Sequence, residues 1–83
     1  MYLINETEVA KEDFQLPVEN LAVWRGDGVF EALTIHDHFP FGIDNHIERL
    51  KQSCKKQLFE NVDFSLIKNN ILKIASQYKT GYV

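Results

Sequence analysis

Two apolar stripes at helical spacing limit this chain more than any other feature. Ile43, Ile47, Leu50, Cys54 and Leu58 recur at steps of three and four, which puts them on one face of an α-helix. Glu48, Lys51, Gln52, Lys55 and Lys56 fill the opposite side. The spacing predicts a helix over about Asp44 to Leu58, with Asp44 as its N-cap. Asn61-Val62-Asp63 then breaks the pattern, and Asp63 is suited to cap a second helix. Phe64, Ile67, Ile71, Ile74, Ala75 and Tyr78 form its stripe, and Gly81 is placed to end it as a left-handed C′ residue. A helix with one apolar stripe needs a surface to bury it, and the residues before Asp44 must supply that surface.

Those residues read as strands. Val29 to His36 alternates in the two-residue sense: Val29, Glu31, Leu33 and Ile35 on one face, Phe30, Ala32, Thr34 and His36 on the other. His36-Asp37-His38-Phe39-Pro40 turns the chain, and Phe39 to Ile43 is expected to return as a short edge strand, limited by Pro40. Met1 to Ile4 and Val9-Ala10 flank a turn at Asn5-Glu6 and predict a first hairpin. Lys11 to Asn20, broken by Pro17, reads as a surface loop. Leu21 to Trp24 is an apolar lead into Arg25-Gly26-Asp27-Gly28, and Tyr82-Val83 opens a further strand. Strands followed by helices predict an α+β fold: a mainly antiparallel sheet with two helices on one face.

With 83 residues, the chain has room for one domain, 1–83. Such a chain buries only about 60% of the surface its unfolded form exposes, so it folds with little margin. Hydrophobic residues at 45% and aromatics at 12% are a globular composition rather than a disordered one. The net charge of −3 is spread along the chain, with no basic block for nucleic acid or an anionic membrane. Apolar runs stop at three or four residues, too short for a transmembrane helix, and the N-terminus lacks the features of a signal peptide. The single cysteine, Cys54, fits a reducing compartment, so a cytoplasmic location is expected.

Few residues carry chemistry. Arg49 lies off the apolar stripe, on a flank with His46 and Ser53. It is either a solvated arginine paired with Glu48 or Asp44, or an anion site, since its planar fork suits phosphate. Gly26-Asp27-Gly28 is no phosphate loop, because no Gly-Lys-Ser/Thr follows, and no dinucleotide fingerprint, because a strand follows where a helix should open. His36 and His38 flank a turn without a third metal ligand of fitting type. Cys54 belongs to the core stripe rather than to a nucleophile. Glu31, among apolar neighbours, requires a partner if its face is buried.

Arg25-Gly-Asp-Gly-Val-Phe-Glu31, the strand, the turn, Phe41, and then His46-Ile-Glu-Arg-Leu50 with Ser53 together resemble the opening of class IV, or fold-type IV, pyridoxal-phosphate aminotransferases. That family includes branched-chain and D-amino-acid aminotransferases and aminodeoxychorismate lyases. Tyr2-Leu3-Ile4-Asn5 with Val9 is similar to its first hairpin, and Thr80-Gly81-Tyr82-Val83 to the strand after its second helix. The resemblance implies the N-terminal small domain, with Arg49 holding the phosphate of pyridoxal 5′-phosphate and Phe30 approaching the substrate pocket. Ala32 and Thr34 share the face of Phe30, and Arg25 stands where branched-chain enzymes carry a pocket tyrosine. It further implies amino transfer between an amino acid and a 2-oxo acid, or elimination in the lyase branch, in a homodimer.

The family's aldimine lysine and its pyridine-nitrogen glutamate lie in a larger second domain. None of Lys11, Lys51, Lys55, Lys56, Lys68, Lys73 and Lys79 stands in a matching context. The expectation is therefore an N-terminal part of a longer polypeptide, inactive alone. The alternative is a complete non-catalytic binding module, which would fold stably without a cofactor.

Overall fold

A computed structural model describes residues 1–83. The fold is α+β, with three helices and two small antiparallel sheets. Strands β1 (Tyr2–Ile4) and β2 (Thr7–Val9) form a hairpin whose turn places Asn5 at φ 57°. Asparagine tolerates that left-handed conformation because its short amide bonds locally. A second sheet has the order β4 (Phe39–Pro40), β3 (Thr34–His36), β5 (Thr80–Tyr82). Ile35 pairs with Pro40 on one side and with Gly81 on the other. Asp37 and His38, both at positive φ, make the two-residue turn between β3 and β4, a conformation whose twist matches that of the strands it joins. The expected single sheet is thus two.

Helix α2 (Ile43–Lys56) and helix α3 (Phe64–Ala75) pack on the sheet face that carries Leu33 and Ile35. Leu33, Ile43 and Ile47 form the buried centre, with Phe64, Ile67, Ile71, Leu72 and Val83 against it. Thr34 and His36, on the opposite face, are exposed. Only seven residues are buried, all apolar, so one truncated side chain removes a large part of the core. The hairpin joins this unit through Asn70 Nδ2, which donates to the Asn5 carbonyl at 3.4 Å, and through a bond from the N-terminal amine to the Tyr78 hydroxyl.

Several local expectations are corrected. The strand predicted over Val29 to His36 has ladder partners only at Thr34–His36, with Leu33 exchanging two bonds with Val83 at 2.7 and 2.9 Å. Val29 to Ala32 has no ladder partner in either sheet, although the alternating burial continues through that segment. Leu21–Trp24 is a helical turn, α1, capped by the Asn20 side chain accepting from the Ala22 amide at 2.9 Å. Lys11–Asp13, within the expected loop, is a 3-10 turn.

Asp44 is not the cap of α2. Gly42, at φ 67°, holds that position, and Asp44 sits in the first turn, where its charge suits the helix dipole. Leu58 falls outside the helix and outside the core, 84% exposed. The helix ends instead in a Schellman motif: Phe59 N–H donates to the Cys54 carbonyl and Leu58 N–H to the Lys55 carbonyl, with Leu58 left-handed at φ 60°. α3 begins as expected, with Asp63 accepting from the Leu66 amide at 3.0 Å. It stops at Ala75, so Tyr78 lies beyond it and Gly81 belongs to β5 rather than to a helix cap.

Candidate functional site

The glycine turn is a packing device. Asp27 N–H donates to the Leu21 carbonyl at 3.3 Å, folding the turn back on α1. Gly26 takes φ 70° in open space, where only the left-handed backbone argues for glycine. At Gly28 the reason is contact: an added Cβ would lie 2.9 Å from the Ala22 Cβ. The turn thus fixes where Val29 to Leu33 sets out toward α2.

Glu31, on that segment, reaches the flank of α2. Its Oε2 lies 2.6 Å from His46 Nδ1, and its Oε1 lies 3.4 Å from Arg49 Nε. The glutamate side chain is 11% exposed and that of His46 23%, while that of Arg49 is 71% exposed. His46 and Arg49 stand three residues apart on α2, so one carboxylate meets both. Glu31 therefore has the partner its burial requires. The partners first considered for Arg49 are engaged elsewhere: Asp44 binds Lys68 at 2.7 Å and Glu48 binds Lys51 at 3.2 Å.

Beside this triad is an open depression of about 350 Å³, lined by Glu31, Glu48, Arg49, Gln52, Ser53 and Lys56. No lining residue is hydrophobic. Arg49, Ser53 and Lys56 follow one another at steps of four and three along α2, and so share a face. They offer a guanidinium, a hydroxyl and an ammonium, a donor set that fits a phosphate group. Two carboxylates, Glu31 and Glu48, stand against two cations, Arg49 and Lys56, in the lining, so the depression has no formal excess of positive charge, and its fit to phosphate rests on the placement of its donors.

The other sequence-derived candidates lie apart from the depression. Phe30 is 86% exposed, and Ala32 and Thr34 are exposed on the same side of the segment, which alternates away from Glu31. Arg25 is exposed and pairs with Asp27 at 3.7 Å. The structure brings Arg49, His46 and Ser53 together with Glu31, and leaves Phe30, Ala32, Thr34 and Arg25 outside that cluster. Gln52 and Lys56 were missed as site residues. The helical step from Arg49 through Ser53 to Lys56 is the signal that could have found them.

Six of the seven lysines are exposed, and Lys68 is held by Asp44. No group of three histidine, cysteine or acidic side chains stands together to hold a metal, and His36 and His38 are exposed at the β3–β4 turn. No helix is long and apolar enough to cross a membrane. Compared with protein-family models and with curated proteins, the chain matches none.

Proposed function

We propose that this chain is the phosphate-holding part of a class IV pyridoxal-phosphate enzyme, an aminotransferase acting on an amino acid and a 2-oxo acid, with Arg49 as the cofactor-phosphate arginine. The observation that carries the reading is the exposed guanidinium of Arg49, paired to the protein through its inner nitrogen at the edge of a wholly polar depression. Its two outer nitrogens are the donors that bind phosphate bidentately. Ser53 and Lys56 add donors on the same side. The resemblance of the Arg25–Glu31 and His46–Leu50 stretches to that family supplies the cofactor's identity.

Pyridoxal phosphate, when bound, supplies an electron sink for the carbanion at the substrate's Cα. The part proposed for this chain is binding and orientation. Arg49 anchors the phosphate; the resemblance assigns Phe30, Ala32 and Thr34, on the side of the segment that faces away from Glu31, and Arg25 to one wall of the substrate pocket. The chain's lysines are exposed or ion-paired, and none is assigned a covalent role in this proposal. Exposed Trp24 and Phe41 support self-association as a homodimer, and the cytoplasm is the compartment proposed for it, on the single free cysteine, Cys54.

Calorimetric titration of pyridoxal 5′-phosphate into the wild type and Arg49→Ala tests the reading. A charge-assisted hydrogen bond contributes about 1.5–3 kcal/mol, so the variant should bind roughly ten- to a hundredfold more weakly. Equal affinity in the two proteins removes Arg49 from the site.

A further inference from the structure

Glu31 presents a problem for an anion site, because it brings a negative charge to the edge of the depression. On charge alone, an arginine without that neighbour would attract phosphate more strongly. Yet Glu31 is the most enclosed of the three triad side chains, and both of its oxygens are engaged, one by His46 and one by Arg49.

The contact to Arg49 shows what such a carboxylate can do. Glu31 Oε1 lies 3.4 Å from Nε, the nitrogen nearest the aliphatic stem, in an ion pair rather than a formed hydrogen bond, and the Arg49 side chain is 71% exposed. An unrestrained arginine loses rotamer freedom when it grips a ligand. One drawn to a fixed carboxylate beside Nε loses part of that freedom beforehand. His46, 2.6 Å away, fixes Glu31 in turn, and α2 fixes both His46 and Arg49.

We infer that Glu31 is a positioning residue: it holds the Arg49 guanidinium by Nε and turns its outer edge toward a phosphate group in the depression. The inference rests on the reading of Arg49 as the phosphate arginine. It gives a sign that simple electrostatics does not. Glu31→Gln removes a negative charge from an anion site and nevertheless weakens binding, by about threefold to tenfold, the cost of ordering one long side chain.

The test uses inorganic phosphate as the probe and the 1H–15N cross-peaks of arginine Nε–Hε as the signature. The chain has only two arginines, Arg25 and Arg49, so Arg25→Lys assigns the peak. In the phosphate-free wild type, the Arg49 Hε peak should be displaced from that of free arginine by the Glu31 carboxylate beside it. In Glu31→Gln it should move toward the free position, and phosphate should bind more weakly. A wild-type Arg49 peak at the free-arginine position overturns the inference without recourse to any variant. Phosphate binding that is lost in Arg49→Ala but equal or tighter in Glu31→Gln overturns the positioning role and keeps the anion site. Binding unaffected by Arg49→Ala overturns the anion site itself, and the positioning role with it.

Discussion

His46 Nδ1 and Glu31 Oε2 meet at 2.6 Å across fifteen positions of sequence. The contact joins α2 to the extended segment ahead of β3, where the backbone has no ladder partner. The Glu31 side chain does there what hydrogen bonds to a neighbouring strand do elsewhere. Glu31→Ala should therefore lower stability by about 1–3 kcal/mol, as for loss of a charged hydrogen-bond partner in a largely enclosed site. In a double-mutant cycle with His46→Ala, read from urea unfolding, the two losses should not add. Additive losses mean that the pair does not act as a unit.

Gly28 approaches Ala22 closely enough that an added Cβ has no room. Gly28→Ala should cost about 1–3 kcal/mol through overpacking. Combining it with Ala22→Gly should return part of that loss, apart from the small cost of glycine in the α1 turn. Gly26→Ala meets no atom within 4 Å, so it should cost only about 1–2 kcal/mol for its left-handed backbone, with no rescue by Ala22→Gly. Thermal unfolding of the four variants separates contact from conformation.

Leu58 occupies the C′ position of α2 at φ 60° with its side chain 84% exposed. A leucine there strains the backbone and buries almost nothing. Leu58→Gly should stabilise the fold by about 1 kcal/mol, which for a chain of this size raises Tm by about 4–8 °C. A lower Tm would show that Leu58 contributes packing that its exposure does not suggest.

The start of α3 depends on one side-chain bond, from the Leu66 amide to Asp63. Asp63→Ala should cost about 0.5–2 kcal/mol, and Asp63→Asn, which keeps an accepting oxygen, much less. Equal losses in both variants would assign the effect to charge at the helix N-terminus instead of to the cap.

What was legible in the sequence follows from the range of the forces involved. The stripes of α2 and α3 and the alternation of Val29 to His36 were readable because each repeats over many residues. Asp63 was readable because a cap bonds within three positions. Asp44 misled for the same reason: it has the right chemistry for a cap, but Gly42 already turns the chain in the left-handed conformation. The length of β3 was not readable, since a strand is defined by its partners, and Ile35 finds Pro40 on one side and Gly81 on the other, both outside the alternating stretch itself. Leu58 fitted the helical stripe, yet the Schellman motif closes α2 just before it. At the site, Arg49 stood out by its flank and Glu31 by its apolar neighbours. That they pair depended on how the glycine turn aims the segment at α2, which no local pattern encodes.

The central claim is that the α2 flank around Arg49 is the anion site. The most direct measurement follows backbone 1H–15N cross-peaks while pyridoxal 5′-phosphate is added to the 83-residue chain. The account predicts saturable shifts centred on Arg49, Ser53 and Lys56, absent in Arg49→Ala. Shifts centred elsewhere, such as the polar groove between Asn5 and Asn70, or shifts that survive Arg49→Ala, would contradict it.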